Sequence, residues 1–345
     1  MGTGAPNAMT AGQQHVLERP GGVRIEITDL GASWVSCMVP LRDGTRREAL
    51  LGYEHLDRYR GGEGYFGATV GRYANRIGGA RYRRNGVDVQ LIANQWGNQL
   101  HGGPQGFNHR RWQVASSDAR SIVLALQSPD GDQGFPGAVD VRVRYALDSD
   151  FSVRIDFEAE VSRETPLALT NHALFNLDAE HGDCRGHRLQ IAADRYVPVD
   201  AQRIPLGTLA PLPPDFDFRR AHRIDRDFLA SGQQRQADGY DHAFLLDPAC
   251  RRGEQPAAEV ESTDGRLQMR LYTDQPALQF YSGNFLEGVS RRGGGTYTRY
   301  AGLALEPGLP PDSPNHAEWS PWSDCFAQPG APWRAFLRWE FHSVA

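Results

Sequence analysis

Apolar and polar residues alternate along most of the chain, and a period of two predicts strands. VDVRVRYAL at Val139–Leu147 and FSVRIDFEAEV at Phe151–Val161 flank Asp148-Ser149-Asp150, which predicts a long antiparallel hairpin. Arg81–Leu91 predicts a second, because Asn85 and Gly86 both tolerate the positive φ of a tight type I′ turn. A third is predicted around Asp264-Gly265, between AEVEST and RLQMRLYT. Further strands are expected at Val23–Thr28, Ala32–Val39, Ile122–Gln127, Leu189–Ala193, Leu278–Tyr281, Gly302–Leu305 and Arg334–Phe341. Helical periodicity is almost absent, with one short turn expected at Tyr53–Tyr59. The fold class is therefore all-β, a large antiparallel β-sandwich built from stacked sheets rather than a small barrel. Between Asp200 and Asp241 the alternation dissolves, and loops of that length line a site or lack order. No repeat or change of composition divides the chain, so residues 21–345 are expected to form one domain behind a disordered tail at residues 1–20.

Composition removes several function classes. No apolar run approaches the length of a membrane span, and the mean hydropathy is -0.53. A net charge of -5 supplies no basic stripe for nucleic acid, and every basic residue is Arg. Cys37, Cys184, Cys250 and Cys325 are far apart, so neither a disulfide framework nor a zinc knuckle is indicated. The first residues, MGTGAPNAMTAGQQ, lack the pattern of a signal peptide, and a cytoplasmic monomer or weak dimer is expected.

Five stretches could combine into one site. In LTNHALFNLD at Leu169–Asp178, read as a strand, Thr170, His172, Leu174 and Asn176 share one face. In GRYANRIGGARY, Asn75 and Arg76 offer an amide and a guanidinium from a strand end. Glycines at 97, 102, 103 and 106 imply an irregular backbone that brings His101 to a ligand, with Trp96 and Phe107 as apolar faces for a sugar ring. In YDHAFLLD, Asp241 and His242 point to opposite sides, so only one enters a pocket. Glu306 ends the apolar run GLALE before Pro307; desolvation there raises a carboxyl toward a working base, and Gln279 could reach the same ligand. Two alternatives stay open at this point. His101, His172 and a carboxylate could be a metal triad, although the histidines lack HxH or HxxxH spacing. Asp241 with Glu306 could be a glycosidase pair, which leaves His172 without a role.

Taken together, GRYANRI, NQLHGG, PDGDQGFPG, NHALFNL, IPLG, PDFDFR, YDH, QFYSGN and LEP…PDSPNH, in that order from about Gly21 onward, resemble the aldose 1-epimerase (galactose mutarotase) family. The resemblance implies a β-sandwich that binds a free aldohexose, galactose, glucose or a relative, in an open cleft and interconverts its anomers without cofactor or metal. It implies Glu306 as the base at the O1 hydroxyl and His172 as the acid at the ring oxygen. It further implies that Asn75, Arg76, His101, Asp241 and Gln279 hold the hydroxyls. The chain departs from the family pattern at Ala173-Leu174, where Ser or Thr and an aromatic are common, and at Gly308, where Gln is frequent. A non-catalytic sugar-binding protein, or a mutarotase of hexose 6-phosphates using Arg76, Arg110 or Arg111, are the alternatives.

Overall fold

The computed structural model describes residues 12–179, 182–319, 322 and 324–344. Three antiparallel sheets converge on one apolar core. The largest has nine strands in the order Gln113–Ser117, Ser121–Ser128, Val139–Ser149, Ser152–Val161, Trp333–Ser343, Leu267–Thr273, Ala258–Glu261, Arg188–Ile191, His222–Arg223. Its alternation is that read from sequence: Val139, Val141, Val143 and Tyr145 are buried while Asp140, Arg142 and Arg144 face outward. The second sheet has six strands, Leu174–Phe175, Leu303–Gly308, Ala277–Tyr281, Asp241–Leu246, Ala193–Tyr196 and Ala210–Pro211. The third pairs Gln14–Glu18, Arg24–Thr28, Ser33–Pro40 and Arg46–Glu48.

Inward side chains from all three sheets join a single cluster, with Trp34 and Trp339 edge to face at 5.2 Å. Each fully buried large aliphatic or aromatic side chain there contributes roughly 1.5–3 kcal/mol relative to exposure.

Asp241–Leu246, Ala277–Tyr281 and Leu303–Gly308 of the six-stranded sheet are buried on both faces, and this positions the site. Leu303, Leu305, Leu278, Phe280, Phe244 and Leu246 face the core. The intervening residues, among them Asp241, Gln279, Tyr281 and Glu306, occupy the opposite face of three adjacent strands. Gln279 lies directly across from Glu306, and Asp241 across from Tyr281.

Three expectations are corrected. Gln14–Glu18 is not tail but an edge strand whose Leu17 is buried opposite Ile25; residues 1–11 of the expected tail lie outside the described residues. Leu169–Asp178 is not one strand: Thr170–Asn171 pairs with Thr69–Val70 and Leu174–Phe175 with Leu303–Gly308, and the chain leaves both ladders at His172-Ala173. The predicted division of faces nevertheless holds, since Leu169, Ala173, Phe175 and Leu177 enter the core. Within the expected loop Asp200–Asp241, Gly232–Ala237 forms a short helix, with the Ser231 hydroxyl accepting from the Gln234 N–H. No helix among the described residues is long and apolar enough to cross a membrane.

Candidate active site

A cavity of about 240 Å³ opens on that second face of the six-stranded sheet. Asp241, Tyr281 and Glu306 rise from the strands beneath, Arg76 comes from the short strand Arg76–Ile77, and loops supply Tyr65, Asn75, Trp96, His101, His172 and Arg203. Tyr65, Trp96 and Arg203 take a left-handed backbone, and so do Asn75 at φ 65° and His101 at φ 51°. The last two lock each other: the His101 N–H donates to the Asn75 carbonyl at 3.0 Å, and the Asn75 N–H donates to His101 Nδ1 at 3.1 Å. An Asn is among the side chains that best tolerate such a φ. The Asn75 Oδ1 in turn accepts from the Arg76 N–H at 2.8 Å.

His172 and Glu306 face each other, with Nε2 and Oε1 3.6 Å apart and both residues buried. Burial pushes Glu306 up to about 8, with the Asp241 charge adding to the rise and Arg76 opposing it. Burial pushes His172 down to about 4, against the raising effects of its own backbone and of Asp241. The empty site therefore favours a protonated Glu306 facing a neutral His172. His101 is held well below the ordinary histidine value by burial and by the nearby His172 and Arg76.

Asp241 organises the rest. The Gln279 amide donates to its Oδ1 at 2.7 Å, while Arg203 Nε and Arg76 Nη2 lie 3.1 and 3.8 Å from its Oδ2. Arg76 Nε donates to Gln95 Oε1 at 2.8 Å, which aims the rest of its guanidinium along the cavity wall.

The metal alternative has a geometric basis, because ligand atoms of His101, His172 and Glu306 all lie within 4.8 Å of one another. The tautomer of His101 argues against it. Its Nδ1 accepts the Asn75 N–H, so the proton resides on Nε2 and the ring presents a donor rather than a lone pair. A larger trough of about 650 Å³ runs along the exposed face of the nine-stranded sheet past Gln127, Asp140, Arg142 and Glu158. It brings no matched acid and base together.

Comparison with known proteins agrees with this geometry. The sequence pattern described as Aldose 1-epimerase matches residues 13–339. The aldose 1-epimerase of Escherichia coli K12 is 47% identical over 326 residues, 94% of either chain. The chain belongs to the aldose 1-epimerase family. The galactose mutarotase of Rattus norvegicus is 35% identical over 309 residues, covering 88% of this chain and 87% of that one. Among solved structures, the galactose 1-epimerase of Lactobacillus acidophilus NCFM superposes with a TM-score of 0.85 at 26% identity, covering 99% of this chain and 97% of that one. An aldose epimerase homologue from C. elegans shares the fold, with a TM-score of 0.89 over 97% of this chain and all of that one.

Most residues singled out from sequence reach this aldose 1-epimerase cavity: Asn75, Arg76, Trp96, His101, His172, Asp241 and Glu306. Gln279 differs, since it holds Asp241 from behind and is not among the lining residues. Phe107 is in the core, edge-on to Trp112, not beside a ligand. His242 turns away from the cavity, packed edge-on against Phe216 at 4.9 Å, as the alternation with Asp241 requires. Arg110 and Arg111 are engaged by Asp132 and Asp29 at 2.7 and 2.8 Å and do not line the cavity. The departures from the family pattern leave the lining untouched at Ala173 and Leu174, which pack into apolar clusters. Gly308 shares the face of Glu306, and a side chain there meets open space. Sequence reasoning missed Tyr65, Phe285 and, most consequentially, Arg203.

Proposed function

We propose that the protein interconverts the α and β anomers of a free aldohexose, with Glu306 and His172 as the acid–base pair. The observation that carries this reading is the 3.6 Å approach of His172 Nε2 to Glu306 Oε1 inside a cavity of monosaccharide scale. A protein that only bound sugar has no use for such a pair.

In the productive form Glu306 is ionised and His172 protonated. Glu306 takes the proton from the O1 hydroxyl as His172 gives one to the ring oxygen; the C1–O5 bond breaks and the C1=O1 carbonyl forms. Rotation about C1–C2 presents the other carbonyl face, and the two residues return the protons with roles exchanged. Ring opening leaves a neutral acid facing a neutral imidazole, the protonation that the desolvated pocket favours in its empty state. The same burial therefore makes Glu306 a strong base and His172 a strong acid whenever the charged form is populated, the condition under which proton transfer is most effective. Arg76, His101 and Asp241 offer donors and acceptors to the ring hydroxyls, and Trp96 offers an apolar face. None of these steps requires a metal or a cofactor.

Proton exchange spectroscopy at anomeric equilibrium tests the reading directly. Catalytic amounts of the protein are expected to transfer saturation between the α and β anomeric protons of galactose or glucose. Binding without exchange, for both sugars, would contradict it.

A further inference from the structure

We propose that Arg203 makes the cavity selective for an aldose bearing a carboxylate, a hexuronate, over the neutral hexose. The inference rests on the epimerase reading and names a substrate class for it. Arg203 is buried, yet it belongs to the loop between Val197 and Leu206 rather than to any strand. Its guanidinium lies between two exposed rings at the cavity mouth, 5.1 Å from the Trp96 centroid and 4.6 Å from that of Phe285. Trp96 is 57% and Phe285 49% exposed. Rings packed on a guanidinium leave its in-plane N–H groups as the polar handle. Nε lies 3.1 Å from Asp241 Oδ2 as an ion pair but, although buried, forms no hydrogen bond, and neither terminal nitrogen has a hydrogen-bond partner among the described residues.

The charges of the lining do not cancel. Arg76 and Arg203 supply two cations against the Asp241 carboxylate. Near neutral pH Glu306 and His172, 3.6 Å apart, hold one proton between them and add no net charge whichever carries it. His101 is neutral through its contact with Asn75. One positive charge is left over among the described lining residues, in a recess where an unpaired ion is costly. A sugar carboxylate offsets it, and the guanidinium fork matches a carboxylate bidentately. Replacing the C6 hydroxymethyl by a carboxylate barely changes the size of the sugar, which suits a cavity of about 240 Å³, whereas a phosphate ester is larger. The carboxylate takes no part in bond making, so the proton transfers are unchanged.

The test measures mutarotation of galacturonate, galactose and galactose 6-phosphate by wild type, Arg203→Leu and Arg203→Lys, with folding checked by circular dichroism. The expected result is a wild-type kcat/KM at least about tenfold higher for the uronate than for galactose, the scale of one charge-assisted contact. Arg203→Leu, which also disturbs Asp241, lowers both values but removes that preference; Arg203→Lys keeps part of it. A wild type that prefers galactose or the phosphate, or a leucine variant that lowers both sugars equally, overturns the proposal: Arg203 is then only a counterion of Asp241, and the epimerase reading stands. No acceleration of any sugar removes both.

Discussion

Replacing Glu306 by Gln should stabilise the empty protein, and by an amount that depends on pH. The buried carboxyl is raised from 4.5 to about 8, so between those values the native state keeps a proton that the unfolded chain has released. Wild type therefore loses stability relative to Glu306→Gln as pH rises from about 4.5, and the gap stops growing above about 8. A shift of about 3.5 units at about 1.4 kcal/mol per unit makes the full gap about 5 kcal/mol, a large share of the ~5–15 kcal/mol that holds a typical fold together. His172 shifts the other way, losing stability below its unfolded value, but it is common to both proteins and cancels in the difference. Urea unfolding of both proteins at half-unit pH steps from 4 to 9.5 measures the gap. Parallel curves would refute the claim that the pocket desolvates Glu306, and with it the account of Glu306 as a strengthened base. A gap that narrows with rising pH would have the wrong sign altogether.

The rate should depend on pH as a broad bell with limbs near 4 and near 8, because the active pair holds one proton and fails on gaining a second or losing the first. The alkaline limb thus reports the proton that Glu306 holds in the empty site, and a profile rising through pH 9 contradicts this. Asp241→Asn strips Arg76 and Arg203 of their counterion, which costs about 3–5 kcal/mol in thermal or chemical unfolding. It also moves both limbs downward, since the Asp241 charge raises both Glu306 and His172. Prolonged dialysis against a chelator should leave kcat unchanged; a loss restored by zinc would revive the His101, His172 and Glu306 triad.

Legibility in the sequence followed exposure. The nine-stranded sheet wets one face, so Asp140, Arg142 and Arg144 mark the alternation of Val139–Ser149 residue by residue. Asp241–Leu246 and Leu303–Gly308 are buried throughout, which erases the polar half of the pattern; what stood out there was the cost of burying Asp241 and Glu306. Gln14–Glu18 escaped notice because an edge strand with one buried side chain carries almost no periodic signal. His172 was legible from its polar neighbours, but not the break in the ladder beside it, since switching partner strands is a property of the whole sheet. Arg203 had no local mark at all: it acquires a role only when its loop, the turn carrying Trp96 and the segment carrying Phe285 meet over Asp241.

Polarimetry of freshly dissolved α-D-galactose with wild type, Glu306→Gln and His172→Asn at equal concentration tests the acid–base pair most directly. Wild type is expected to hasten the fall to the equilibrium rotation, and each variant, still folded, to lose about 10²–10⁴-fold of that acceleration. Either variant retaining the wild-type rate would contradict the central claim that this pair moves the protons.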